Sequence, residues 1–391
     1  MSNAKPVFIN LICPVLTGRD SFTVTQSPVE SDIFRQVDAA FRSLNYQVDE
    51  NTFFKFKKNN SGDADANLFA SFDRRKAADV IRAELRCRAV VAFACINFPP
   101  SLSSPQIARI DRGDEDSDVN YGQNESAVLD VFSEFNAHDN FLSVCFVPDL
   151  YPQRGVEFLQ VLEAVTKNCK VVLYNYKPLT SVLKILSKPV DLKSEALHFI
   201  PFLPTVGNFT AKKYFDFSYV GSARPARLAA IAAILGRSRK LKFFVSTIGR
   251  EPVESNPTRS YDRYLEVLAA SKTTICGPAV SPMNLGQING LPVFAPQVYP
   301  GRIAEALASV TIPLYMQPDG YSLVELPSVD EMIPIFPISV ADADERLDHA
   351  LSLLNDRSHY ERISVLCSDY HRKYLSPEAL FTPFVDKFIA R

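Results

Sequence analysis

The chain of 391 residues has no apolar run approaching the ~18–20 residues that a membrane-spanning helix needs. Its first residues, MSNAKPVFINLICPVL, hold one lysine and an apolar stretch of about nine residues, too short for a span. They lack the small-residue cleavage site of a secretory signal. The stretch reads as a buried first strand, and the expected location is cytoplasmic. Seven cysteines (Cys13, Cys87, Cys95, Cys145, Cys169, Cys276, Cys367) are scattered singly, with no CxxC. That excludes a disulfide framework and a structural zinc site and fits reduced, buried thiols. Neither GxGxxG nor a Walker loop occurs, and no solenoid-length repeat or low-complexity tract is present. Excess charge is lacking too: 42 Lys+Arg stand against 44 Asp+Glu, a net charge of −2. A near-neutral chain offers no electrostatic reason for a nucleic-acid partner, and none is expected.

What is present is a long alternation of apolar strands and amphipathic helices, in a chain 47% hydrophobic and 22% charged, enough to bury a sizeable core. PVFINLICPV (6–15), AVVAFACINF, NFLSVCFVPD and KVVLYNY read as strands, with YQVDENTFFKF as another after the first helix. Between them lie helical patterns such as ESDIFRQVDAAFRSLN, which sets Ile33, Phe34, Val37, Ala40 and Phe41 on one face. Continuous apolar strands between helices indicate a parallel sheet covered on both sides. The segment 203–216 breaks the period, and a second alternation starts at FSYVGS. The reading is α/β, two Rossmann-like domains facing a cleft: 1–204, 205–375, and a C-terminal helix, 376–391, returning to the first domain. Ser376, Pro377 and Glu378 mark that helix's start. Ligand belongs outside the carboxyl ends of the strands.

Three stretches could carry chemistry. In FSYVGSARPAR an apolar strand ends in Gly221-Ser222 and a helix follows. Glycine allows close backbone approach, the helix N-terminus offers N–H groups to an anion, and Arg224 and Arg227 can reach the same anion. In VYPGRIAEALAS, Arg302 stands at a helix N-terminus, where the dipole opposes a cation unless an anion sits beside it. Glu305 lies three residues on, on the same face, and a carboxylate can accept hydrogen bonds from two vicinal hydroxyls. The plain alternative is an Arg–Glu ion pair on a wet face. The acidic loop IDRGDEDSDVNYGQNE (110–125) offers Asp116 and Asp118 as hard oxygen ligands, but a solvated charge run explains it better; no metal site is assigned.

The order FSYVGS…R, then YDRYLEVLAASKTTICGP, then GRIAEALASVTIPLYM resembles the C-terminal half of sugar-nucleotide glycosyltransferases of the GT-B architecture, particularly the exostosin-like and group-1-like sets. The resemblance covers about residues 197–391. It implies transfer of a sugar from a UDP-, GDP- or CMP-sugar to a glycan or lipid-linked acceptor, with peripheral membrane contact left open. No further cofactor is implied, and a divalent metal is not expected. Gly221, Ser222 and Arg227 then lie near the diphosphate, Arg302 and Glu305 on phosphate and ribose, and Lys272 near phosphate. This chain departs from the pattern by the insertion GPAVSPMNLGQINGLPVFAPQVYPGR before the Arg-x-x-Glu helix. Helix dipoles and arginines can stabilise a departing diphosphate. An inverting enzyme also needs a base: Asp20, Asp149 and His138 are alternatives, with Glu30 and Asp32 behind them, and each also reads as a cap or turn residue. Rival readings are a nucleotide-sugar epimerase or hydrolase, a non-catalytic binding module, and a phage-type transferase acting on modified DNA bases. The last needs a basic face, which the net charge does not favour.

Overall fold

The computed structural model describes residues 5–12, 28–58, 68–96, 121–147, 155–177, 193–207, 212–222, 225–237, 240–248, 261–277, 287–288, 291–292, 297–298, 300–316, 326–338 and 343–389. The chain divides into two compact units. The first takes residues 1–201, 284–298 and 381–391, and the second takes 202–283 and 299–380. The stretch 284–298, read from sequence as part of the second domain, thus groups with the first unit.

The first unit is built on strands β1 (Val7–Asn10), β2 (Gln47–Val48), β5 (Val90–Cys95), β6 (Phe141–Val147), β7 (Val171–Tyr174) and β9 (Leu197–Phe199). They form a sheet in the order β2-β1-β5-β6-β7-β9, parallel throughout. Every residue of β6 is buried, which is why this strand reads as an unbroken apolar run rather than an alternating one. Helices α1 (Pro28–Ser43), α2 (Arg74–Leu85), α3 (Tyr121–Phe135) and α4 (Gly155–Asn168) connect the strands. Phe8 stacks on Phe41 of α1 with ring centroids 3.9 Å apart.

One sequence expectation needs correcting. YQVDENTFFKF is not one strand. The side chain of Asp49 accepts from the backbone N–H of Asn51 at 2.9 Å, an Asx turn that ends β2. The chain resumes as β3 (Phe54–Lys58), which pairs antiparallel with β4 (Leu68–Phe72) outside the main sheet. Another two-residue pair joins β8 (Tyr176–Lys177) to β15 (Gln297–Val298), so the inserted stretch of the second half adds a strand to the first unit. Within it β13 (Gln287–Ile288) and β14 (Leu291–Pro292) make a small hairpin.

The second unit has strands β10 (Phe215–Ser222), β11 (Phe243–Ile248), β12 (Ser271–Cys276), β16 (Ile312–Met316) and β17 (Phe336–Ile338). Their order is β11-β10-β12-β16-β17, again all parallel. Numbered within the unit this is 2-1-3-4-5, a doubly wound order whose switch point lies between β10 and β12. Helices α5 (Pro225–Arg237), α6 (Tyr261–Ala269), α7 (Gly301–Ala308), α8 (Ala343–Asn355) and α9 (Arg357–Tyr370) complete it. A π-helical turn, His371–Leu375, leads into α10 (Pro377–Phe388). The Ser376 hydroxyl caps α10 by accepting from the Ala379 N–H at 3.2 Å, the start read from the sequence. Farther along, Phe381 packs its ring 4.5 Å from that of Phe41 in the first unit's core. No helix among the described residues is long and apolar enough to cross a membrane.

The turn before α10 carries a titration consequence. The His371 ring bonds the Thr205 carbonyl through Nε2 at 2.7 Å, while Leu375 O accepts from Thr205 N at 3.0 Å. Burial pushes the His371 pKa below its ordinary 6.5. The folded chain therefore holds the neutral ring, and as the pH falls below 6.5 the unfolded chain takes up the proton first. Stability contributed above pH 6.5 is lost on acidification through the lowered folded value. Thermal unfolding between pH 7.5 and 5 is expected to fall less steeply in His371→Gln than in the wild type; equal slopes contradict this.

Candidate functional site

The carboxyl ends of β10 and β12 flank the switch point of the second sheet, because α5 leaves β10 toward β11 while α6 returns to β12 on the other side. Such a crevice is where doubly wound sheets take ligands. Helix α7 starts over it. Residues Ile303 to Ala308 of α7 are all buried, and the alanines among them, Ala304, Ala306 and Ala308, allow the helix to lie close to the sheet. Its far end is fixed by a cation: Lys213 Nζ donates to Ser309 O at 2.8 Å and to Thr311 Oγ1 at 3.2 Å, a favourable position at a helix C-terminus. Burial lowers the Lys213 pKa to about 8. Thr311 Oγ1 in turn bonds Leu268 O at 2.6 Å, which ties the end of α6 to the end of α7 and brings the two helices side by side.

Arg302 and Glu305 are therefore not a pair on a wet face. Arg302 Nη1 donates to the carbonyl of Val220 in β10. The guanidinium lies over Gly221, and a Cβ added there would overlap Nη1 and come within 3.0 Å of Cζ. Its Cζ is also 5.3 Å from the centre of the Tyr264 ring, a cation–π contact. One helical turn on, Glu305 is only 7% exposed and accepts a hydrogen bond from the Tyr264 hydroxyl at 2.7 Å. A buried charge left without partners costs several kcal/mol, so this arrangement is an organised one. Burial works against the charge on Arg302, but Tyr264 and Glu305 nearby hold its pKa above the ordinary value. Burial, then the charge of Glu305, push the Tyr264 hydroxyl well above its ordinary 10.0. The N-cap position of α7 is Pro300, with no side-chain cap, so the first amides of α7 donate to no capping side chain, and the Ile303 amide donates to Pro300 O at 2.9 Å.

The structure thus brings Gly221, Arg302 and Glu305 together. Ser222 closes β10, and Arg227 lies in the first turn of α5. Arg224, Asp20, Asp149, Asp116 and Asp118 lie outside the described residues. Lys272 is not at the site. It is the second residue of β12, at the amino end of the sheet, where its Nζ pairs with Asp216 at 2.7 Å. His138 also sits at the amino end of its own sheet, in the turn from α3 to β6, with its N–H bonded to Phe135 O at 2.9 Å. It ends a helix there, away from the carboxyl ends of the strands. Glu30 and Asp32 fall in the first turns of α1. Among the described residues no group of three or more His, Cys, Asp and Glu is placed to hold a metal ion. The residue that sequence reasoning missed is Tyr264: it sits in an ordinary amphipathic pattern, and only the pairing of α6 with α7 shows what its hydroxyl meets.

No protein-family model matches the chain, and no curated protein does. Among solved structures, an α-glucosyltransferase in complex with UDP-glucose and DNA containing an abasic site superposes with a TM-score of 0.50 at 11% identity over 99% of both chains. An α-glucosyltransferase (AGT) in complex with UDP gives a TM-score of 0.50 at 10% identity, over 99% of this chain and all of the other. T4 phage BGT in complex with UDP and Mn2+ gives 0.44 at 11% identity, over 99% of this chain and 100% of the other. These findings overturn the expectation of no nucleic-acid partner: a structural neighbour spanning almost the whole chain is a DNA complex. Net charge over a whole chain does not report the charge of one face, which is what a polyanion meets. At this identity the likeness shows the fold and does not distinguish the exostosin-like or group-1-like sets within it. The architecture it establishes is plain: the chain has the GT-B glycosyltransferase fold.

Proposed function

We propose that the chain is a glycosyltransferase that draws its sugar from a uridine diphosphate sugar, with the donor bound at the carboxyl edge of the second unit's sheet. The observation that carries this reading is the seat of Arg302: a guanidinium in the first turn of a helix, over a glycine, at the switch point of a doubly wound sheet. There it bonds the Val220 carbonyl and lies over the Tyr264 ring, with the Glu305 carboxylate near enough to act on its charge. In the proposed complex Arg302 and the first amides of α7 neutralise the diphosphate. Glu305 accepts from the ribose hydroxyls, and Gly221, Ser222 and Arg227 line the approach of the phosphates. Those positive groups supply the charge that a divalent metal would otherwise bring.

In the transfer, the bond between the sugar's anomeric carbon and the β-phosphate oxygen breaks, and the acceptor oxygen bonds to that carbon. The acceptor proton passes to a base and UDP departs. Asp20 and Asp149, which follow β1 and β6 in the chain, are the base candidates carried forward; His138 is not, and Lys272 is not carried forward as a phosphate ligand. The acceptor proposed is a hydroxyl on DNA, supported by the likeness to the DNA-bound α-glucosyltransferase.

Calorimetric titration with UDP, GDP and CMP tests the donor. UDP is expected to bind, and Arg302→Ala to weaken it about 10- to 100-fold, the worth of a charge-assisted hydrogen bond or two. Binding of another nucleotide in its place overturns the uridine assignment, and binding of none leaves a non-catalytic module. Gly221→Ala separates site from scaffold. The Arg302 head is flexible and gives way to the new methyl, so unfolding free energy is expected to stay within about 1 kcal/mol of wild type while UDP affinity falls about as far as in Arg302→Ala. Unchanged affinity contradicts the seat as a binding feature.

For the acceptor, labelled sugar from UDP-glucose is expected on duplex DNA bearing hydroxymethylated bases, less so as salt rises. Label on a glycan or lipid-linked saccharide alone overturns the DNA acceptor, and UDP release without any acceptor marks a hydrolase.

A further inference from the structure

Tyr264 is buried beside both site side chains, and nothing in the reading above requires a tyrosine there. A leucine or phenylalanine would fill the same space against Val220, Val267 and Leu268, the small cluster in which Tyr264 packs. A buried tyrosine hydroxyl needs a hydrogen-bond partner, and here that partner is the Glu305 carboxylate, through Oε2 at 2.7 Å. The distance is that of an O–H donor to a carboxylate oxygen. A carboxylate has about four acceptor positions, and a donor fixed on one oxygen sets the plane of the group. The same ring lies 5.3 Å from the Arg302 guanidinium carbon, whose head is hydrogen-bonded to Val220 O. One side chain on α6 therefore touches both residues that α7 brings to the edge of the sheet.

We infer that Tyr264 is a positioning residue of the donor site: its hydroxyl orients Glu305 toward the ribose hydroxyls, and its ring holds Arg302 at the carboxyl end of β10. This rests on the donor reading above. Two functions in one side chain make two variants informative. Tyr264→Phe keeps the ring and removes the hydroxyl. Tyr264→Leu removes both.

The deciding experiment measures the affinity of UDP and of 2′,3′-dideoxy-UDP for wild type and both variants, with melting temperatures alongside as the fold control. Wild type is expected to prefer UDP about tenfold or more, the worth of hydrogen bonds to a charged group. In Tyr264→Phe the dideoxy analogue binds as in wild type while UDP weakens, so the preference shrinks toward one. In Tyr264→Leu both ligands weaken, because the arginine loses its aromatic face. A Tyr264→Phe protein that melts like wild type and keeps the full preference overturns the positioning role. A wild type that binds UDP and the dideoxy analogue equally overturns it too, while leaving the donor reading in place. A wild type that binds neither brings down the donor reading, and the role of Tyr264 with it.

Discussion

The hydrogen bond from Arg302 to the carbonyl of Val220 is the constraint on which the site depends. It requires a glycine at 221, because a side chain there would stand where the guanidinium lies. It requires α7 to begin directly over the carboxyl end of β10, which the doubly wound strand order provides. It also requires a neighbour that tolerates a buried cation, and the face of Tyr264 with the carboxylate of Glu305 behind it is that neighbour. Each requirement is met by a different element of the second unit.

The scaffold serves this contact from a distance. Lys213 and Thr311 anchor the far ends of α7 and α6, so the near ends, with Arg302 and Tyr264, are set by rigid elements rather than loops. Ser271 adds to this by donating to Val267 O at 2.6 Å where α6 gives way to β12. Sites held by packed helices and strands keep their geometry more closely than sites on loops. The buried polar groups that do the anchoring are hydrogen-bonded, which is what makes their burial tolerable.

Much of the architecture was legible because the strands of a covered parallel sheet are continuous apolar runs between helical periods. AVVAFACINF and NFLSVCFVPD could hardly be anything else. Arg302, Glu305 and Gly221 were legible for a local reason, a cation at the wrong end of a helix dipole and a glycine at the end of a strand. What was hidden is what depends on pairing between distant segments. The 284–298 stretch joins the first unit through the two-residue β8–β15 pair, a contact far too short to leave a pattern. The Asx turn at Asp49 breaks what looked like one strand. Lys272 fits a phosphate role by its place in the chain, but it is the second residue of its strand, and strand direction sends it to the other edge with Asp216. Tyr264 carries no local mark at all.

The central claim is that the seat of Arg302 is where a nucleoside diphosphate is held, and a crystal structure of the chain with UDP tests it most directly. The account predicts phosphate oxygens within hydrogen-bond reach of the Arg302 guanidinium and of the first amides of α7, with the ribose against Glu305. UDP bound elsewhere, with Arg302 still closed on the Val220 carbonyl, would contradict it.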